Sequence, residues 1–237
     1  MKEILKFIEQ KKQDFVKLPL FKFMQDKSID PKQRLSFAPC LVPLAMGFGE
    51  LCNIAFRQEP TTNKIQELIN KHTYEEHFHW QWLLEDIGKL GLDDSLRLTD
   101  AINLMWAEET KKNRAVCSFL GQYNFHADPV LRLVLIEVSE VTANVFFSIT
   151  KTVAEELQKN TGQEYRYFGM CHLNVENTHT LGKKDAVVFL ESIEITEETR
   201  EKAFELVKLA FEAYTEAMNE LLAYAKKQEN SKLLQVA

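Results

Sequence analysis

The chain has 237 residues, 45% of them hydrophobic, with a formal charge of -6 and a pI near 5.6. That is enough apolar material for a sizeable core, and Lys and Arg are scattered rather than clustered, so no electrostatic footprint for nucleic acid is visible. Only 8 Gly and 6 Pro punctuate it, strand-like alternation is almost absent, and apolar residues recur at three- and four-residue steps, so the fold class is expected to be all-α.

The first predicted helix, 2–16, mixes charge with apolar residues and lacks the unbroken apolar stretch and small-residue cleavage site of a secretory signal, which predicts a cytoplasmic protein. Pro31 opens a helix over 31–56. Within it "LSFAPCLVPLAMGFG" covers 35–49 and is closed by Glu50; it is shorter than the roughly 20 residues a bilayer requires, so it reads as a core helix and no membrane partner is expected. Helices follow over 62–89, 96–123, 128–159, 164–180 and 197–228, with a short piece near 183–193. Pro31, Asp93-Asp94, Asp128-Pro129, Thr161-Gly162 and Thr196 mark their ends through capping and proline chemistry. No linker or low-complexity tract divides the chain, so residues 1–237 are expected to form a single helical domain. Cys40, Cys52, Cys117 and Cys171 form no CxxC pair and read as buried, unbridged thiols.

Chemistry concentrates in two places. "HTYEEHFHW", residues 72–80, sets His72, Glu76 and His79 at steps of four and three, and "YFGMCHLNVENTHTLG", residues 167–182, repeats that spacing in His172, Glu176 and His179. On a helix such steps gather the three side chains within roughly 60° of arc. Four of the six histidines lie in these two clusters, whereas His77 and His126 share no such face and read as ordinary histidines. Glu-x-x-His pairs on facing helices are one way to hold two iron or manganese ions, since imidazole with carboxylate suits Fe(II) and leaves positions open. A further carboxylate comes from "LIEVSEVTANVFF", where Glu140 is the favoured ligand and Glu137 the reserve. A lone acid in so apolar a stretch is costly without a partner, and the nearest cations, Arg132 and Lys151, are expected to face solvent. Asp86, two turns past His79, reads as a solvated acid or as a group that orients a ligand.

The order Glu-x-x-His, then "SE" in a helix running into aromatics, then Tyr-Phe followed by His-x-x-x-Glu-x-x-His, resembles the haem-oxygenase-like di-iron oxidases, relatives in fold of thiaminase II and PqqC-type proteins. "LPLFKFMQDKSIDPKQRLSFAPCLVPLAMGF" is similar to the first two helices of that superfamily, so the likeness covers most of the chain. The resemblance implies a haem-oxygenase-like bundle of about seven to eight helices. It implies a homodimer, two irons per chain with manganese as the other possible metal, and six metal-binding positions: Glu76, His79, Glu140, His172, Glu176 and His179. It implies a small-molecule substrate, bearing a carboxylate or an amine, and O2. Family members more often carry Asp where Glu176 stands, and His72 departs from the pattern, with three roles open to it: hydrogen-bond partner, extra ligand, or part of a substrate pocket.

Two other readings stand beside this one. A thiaminase II-like hydrolase needs a Cys nucleophile with a nearby acid, for which Cys117 in "NRAVCSFLGQY" is the mid-chain candidate. A ferritin-like iron binder would use Glu50, Glu76-x-x-His79, Glu140 and Glu176-x-x-His179. The 61-residue step from His79 to Glu140, together with His172, does not fit that second pattern.

Overall fold

The computed structural model describes residues 1–93, 97–125, 127–176 and 184–236, apart from the side chains of Glu176, Lys184 and residues 229–236. Among these residues every regular element is helical: α1 (Lys2–Phe15), α2 (Pro19–Gln25), α3 (Pro31–Arg34), α4 (Ala38–Leu51), α5 (Lys64–Glu76), α6 (Trp80–Lys89), α7 (Leu98–Trp106), α8 (Lys111–Asn124), α9 (Pro129–Thr161), α10 (Met170–Glu176), α11 (Lys184–Ser192) and α12 (Glu197–Val236). The all-α expectation holds, with more segments than the seven to eight expected.

The extra segments arise where tertiary contacts or prolines break predicted helices. The predicted helix 31–56 stops at Arg34, and α4 restarts with Pro39 in its first turn, where the missing N–H costs nothing. It then runs into a single π-helical turn, Cys52–Phe56. By length and composition Ala38–Phe56 could cross a bilayer, but Cys40, Leu41, Leu44 and Leu51 are buried and α4 packs against α6 and α8. The predicted helix 62–89 breaks at His77–His79, between α5 and α6. There α4 presses in so closely that a Cβ on Gly49 would stand 2.7 Å from the His77 carbonyl oxygen and 3.0 Å from Trp80 Cδ1. The predicted helix 96–123 breaks at Ala107, where Thr110 Oγ1 donates to the carbonyls of Leu104, Met105 or Ala107 at 3.0, 3.1 and 3.2 Å.

α9 is the central element. Asp128 caps it by accepting from the amides of Val130 and Leu131 at 2.8 and 3.0 Å, and Gly162 ends it in the left-handed conformation at φ 71°. α9 packs against α1, α2, α3, α5, α8, α10 and α12, while α1 also meets α12, so the first and last helices close over it. One apolar cluster runs from Met1 to Ala225, including Phe37, Phe56, Leu133, Val138 and Phe168. Burying a large aliphatic or aromatic side chain of this kind stabilises by about 1.5–3 kcal/mol each.

Arg132 is also inside α9, only 2% exposed, contrary to the solvent-facing expectation. Its guanidinium donates to Asn124 Oδ1 at 2.8 Å, to the Ala127 carbonyl at 3.2 Å, and to Gln66 Oε1. Gln66 in turn donates to the Phe56 carbonyl and to Asn70 Oδ1 at 2.8 and 2.7 Å. This buried ladder ties α9 to the start of α5 and to the π-turn, and so sets the position of the helix that carries His72 and Glu76. Burying a guanidinium is tolerable because each of these acceptors compensates for lost water.

Candidate metal centre

α5, the α5–α6 turn, α9 and α10 bring five of the singled-out residues to one buried place. His72 and Glu76 lie one turn apart on the inner face of α5, His79 stands at the start of α6, Glu140 comes from α9 and His172 from α10. His72, Glu76, His79 and His172 are all buried, and Glu140 is half-buried. His79 and His172 of the two clusters face each other, with His172 Nε2 3.1 Å from His79 Nδ1. His79 Nδ1 is also 3.1 Å from Glu76 Oε2. On the other side of Glu76, His72 Nε2 is 3.3 Å from Glu140 Oε1.

Two ligand groups result. Glu76, His79 and His172 each offer a ligand atom within 4.8 Å of the others, and so do His72, Glu76 and Glu140. Glu76 belongs to both groups. His179 lies outside the described residues, as does the side chain of Glu176, although Glu176 closes α10. His126 is likewise outside them.

His172 is oriented by a relay that begins at Asp86. The Asp86 carboxylate is 0% exposed and accepts from the amides of Arg166, Tyr167 and Phe168 at 2.9, 2.9 and 3.0 Å. Those bonds fold the segment before α10 so that the Tyr167 carbonyl accepts from His172 Nδ1–H at 2.9 Å. With Nδ1 engaged there, the ring turns Nε2 toward His79 Nδ1, 3.1 Å away, the orienting arrangement common around metal-binding histidines. Asp86 is thus a buried positioning group rather than a solvated acid. Burial pushes its carboxyl above the ordinary value, and the three amides with Lys89 only partly offset that. Aromatic rings fix the imidazoles further: Trp82 stacks on His79 at 4.5 Å and Phe147 lies 3.8 Å from His172.

The donor set suits a first-row divalent ion. His172 Nε2 and Glu76 Oε2 each stand 3.1 Å from His79 Nδ1, so three donor atoms converge on one point. Two donors each about 2.1 Å from one ion at right angles stand about 3.0 Å apart, close to the 3.1 and 3.3 Å seen here. Mixed imidazole and carboxylate donors without thiolate favour Fe(II), Mn(II) or Zn(II) over softer ions. Cys52, beside Glu76 and Glu140, has its thiol pushed well up by burial and by those carboxylates, so it is held protonated.

A cavity of ≈ 100 Å³ opens on this cluster. Glu76, His79, Glu140 and His172 form one end, and Leu41, Leu44, Phe48, Phe146, Phe147 and Met218 form the walls. Its uncharged polar lining includes Ser139 and Tyr214, which are joined by a 2.8 Å hydrogen bond from the phenol to Ser139 Oγ. Among the described residues that line it there is no Lys or Arg.

The chain matches no family model and no curated protein.

The other singled-out residues lie elsewhere. Glu137 is half-buried outside both ligand groups and off the cavity; its Oε1 is shielded without a hydrogen-bond partner, and burial pushes its carboxyl up to about 7. Glu50 is exposed at the end of α4, away from the carboxylate order a ferritin-like site needs. Cys117 donates to the Leu44 carbonyl at 3.5 Å and does not line the cavity, and burial holds its thiol up at about 12. His77 makes a 3.1 Å contact through Nδ1 with the Tyr74 carbonyl. Sequence reading missed Tyr167 as a backbone acceptor and the Ser139–Tyr214 pair, since neither carries a spacing signal.

Proposed function

We propose that this protein is a non-haem di-iron oxidase or oxygenase that activates O2 to oxidise or cleave a small metabolite with an apolar body and one carboxylate or amine head. The observation that carries the reading is the pair of buried His/Glu groups sharing Glu76 at the inner end of an apolar cavity. His79, His172 and Glu76 would hold one ion, and Glu76 with Glu140 the other, with Glu176 and His179 completing the set as the sequence pattern implies. When bound, the two Fe(II) ions supply the electrons that reduce O2 and the oxidising power to attack a C–H or C–C bond.

The residues of the chain do the rest. Asp86 and the Tyr167 carbonyl keep His172 in one tautomer and orientation, which preserves its lone pair as a donor. Phe146, Phe147 and Phe48 keep water from the substrate end and offer it dispersion contacts. Among the described lining residues no Lys or Arg occurs, so a substrate carboxylate would find its electrostatic partner at the metal end, and an amine would find Glu76 and Glu140 there. The Ser139–Tyr214 pair gives the wall one polar spot for orienting a hydroxyl or amide.

Anaerobic Fe(II) titration of metal-free protein tests the reading. Close to two Fe(II) per chain are expected, with loss of at least one in His172→Ala while the helical circular dichroism is retained. Iron-loaded protein should also consume O2 faster than free Fe(II) at the same concentration. A stoichiometry of one or less in the wild type would overturn the proposal.

A further inference from the structure

Among the six positions implied by resemblance, His72 has no place, yet the structure puts it inside the cluster. It is 0% exposed, lies one turn before Glu76 on α5, and its Nε2 stands 3.3 Å from Glu140 Oε1. His72, Glu76 and Glu140 form a second ligand group, their ligand atoms also within 4.8 Å of one another, and the two groups meet at Glu76.

We infer that His72 is a metal ligand, binding the second ion through Nε2 together with Glu140 and with Glu76 as the carboxylate common to both ions; this rests on the two-metal reading above. Three features argue for ligation over a simple hydrogen bond. First, the 3.3 Å separation is long for a charge-assisted bond, which runs about 2.7–2.9 Å, but is near the edge of about 3.0 Å between neighbouring donors on one ion. Second, Glu76 belongs to both ligand groups, with its Oε2 3.1 Å from His79 Nδ1 in one and its carboxylate within 4.8 Å of the His72 and Glu140 ligand atoms in the other. Third, α5 is held at this depth by the buried Arg132–Gln66–Asn70 ladder, so His72 is presented by a rigid element, as a ligand must be. The consequence is an imidazole on each side of Glu76, with more nitrogen at the second ion than Glu76 and Glu140 alone provide.

The test uses full-length protein loaded anaerobically with Co(II). Ligating imidazoles give strongly shifted, exchangeable N–H signals in the proton NMR spectrum, one per histidine. The wild type is expected to show signals from His72, His79 and His172, and His72→Gln, whose amide can still donate to Glu140, one signal fewer than the wild type. The affinity for the second Co(II) should fall more than about 100-fold, beyond the 10–100-fold loss that follows removal of an outer hydrogen-bond partner. His77→Gln, in the neighbouring turn and outside both groups, should change neither readout. Two bound ions with an unchanged signal count in His72→Gln would overturn His72 ligation and leave the two-metal site standing. A wild type that binds a single Co(II) would overturn both. Should His72→Gln fail to fold, His72→Asn, a shorter amide, gives the same comparison of signal counts against the wild type.

Discussion

Asp86→Ala isolates the relay that aims His172. The carboxylate accepts three amides, and those of Tyr167 and Phe168 are buried, at 2.9 and 3.0 Å. Stranding a buried donor costs about 1–3 kcal/mol, so two give about 2–6 kcal/mol. Removing the acid also relieves its own desolvation, which outweighs its bonds enough to hold the carboxyl above its ordinary value. The expected loss is therefore in the lower half of that range, about 2–3 kcal/mol. For a chain of this size that lowers the melting temperature by roughly 5–10 °C. The same change loosens the Tyr167 carbonyl that holds His172 Nδ1 at 2.9 Å, so metal affinity should drop about 10–100-fold. Urea denaturation of metal-free protein measures the first effect and Co(II) titration the second, with Glu85→Ala, on the exposed side of α6, as the control. A change under about 0.5 kcal/mol with unaltered affinity would refute the relay.

Two further substitutions probe the surroundings of the site. Glu137 has its carboxyl raised to about 7 by burial, against about 4.3 in an unfolded chain. A raised carboxyl makes the folded state bind the extra proton, so stability is lost as pH rises from about 4.5 through 7, and the penalty is full above that. Glu137→Gln should accordingly stabilise the metal-free protein by about 1–2 kcal/mol at pH 8, discounted for its partial exposure, with the difference fading toward pH 4.5 in paired denaturant melts; a constant difference across that range would contradict the assignment. In Gly49→Ala the new methyl would meet the His77 carbonyl at 2.7 Å, so despite a helix-propensity gain of about 1 kcal/mol the variant should be net destabilised by about 1–2 kcal/mol through overpacking. Because that turn carries His79, its Co(II) affinity should fall as well, and an unchanged melt with unchanged affinity would show that α4 yields there.

That the chain is helical, and where several of its helices begin and end, is legible in the residues because those are local matters. Three- and four-residue apolar periodicity needs only the helix repeat. Asp128-Pro129, Thr161-Gly162 and Pro31 act through bonds to amides or through φ angles within a few residues of themselves. The spacing of His72, Glu76 and His79, and the presence of His172 in a second such segment, were legible for the same reason. Only the tertiary structure decided what those residues do for one another. That α5 ends at Glu76 follows from α4 pressing its Gly49 backbone against the His77 carbonyl, a contact between positions that no local pattern connects. Arg132 was misjudged because its acceptors include the side chain of Gln66, 66 residues earlier. Asp86 reaches amides 80 to 82 residues ahead, and Glu140 and Glu137, both acids in one apolar helix, differ only in which neighbour each meets. A side chain's partner across the bundle depends on how helices pack, and packing is a property of the whole chain.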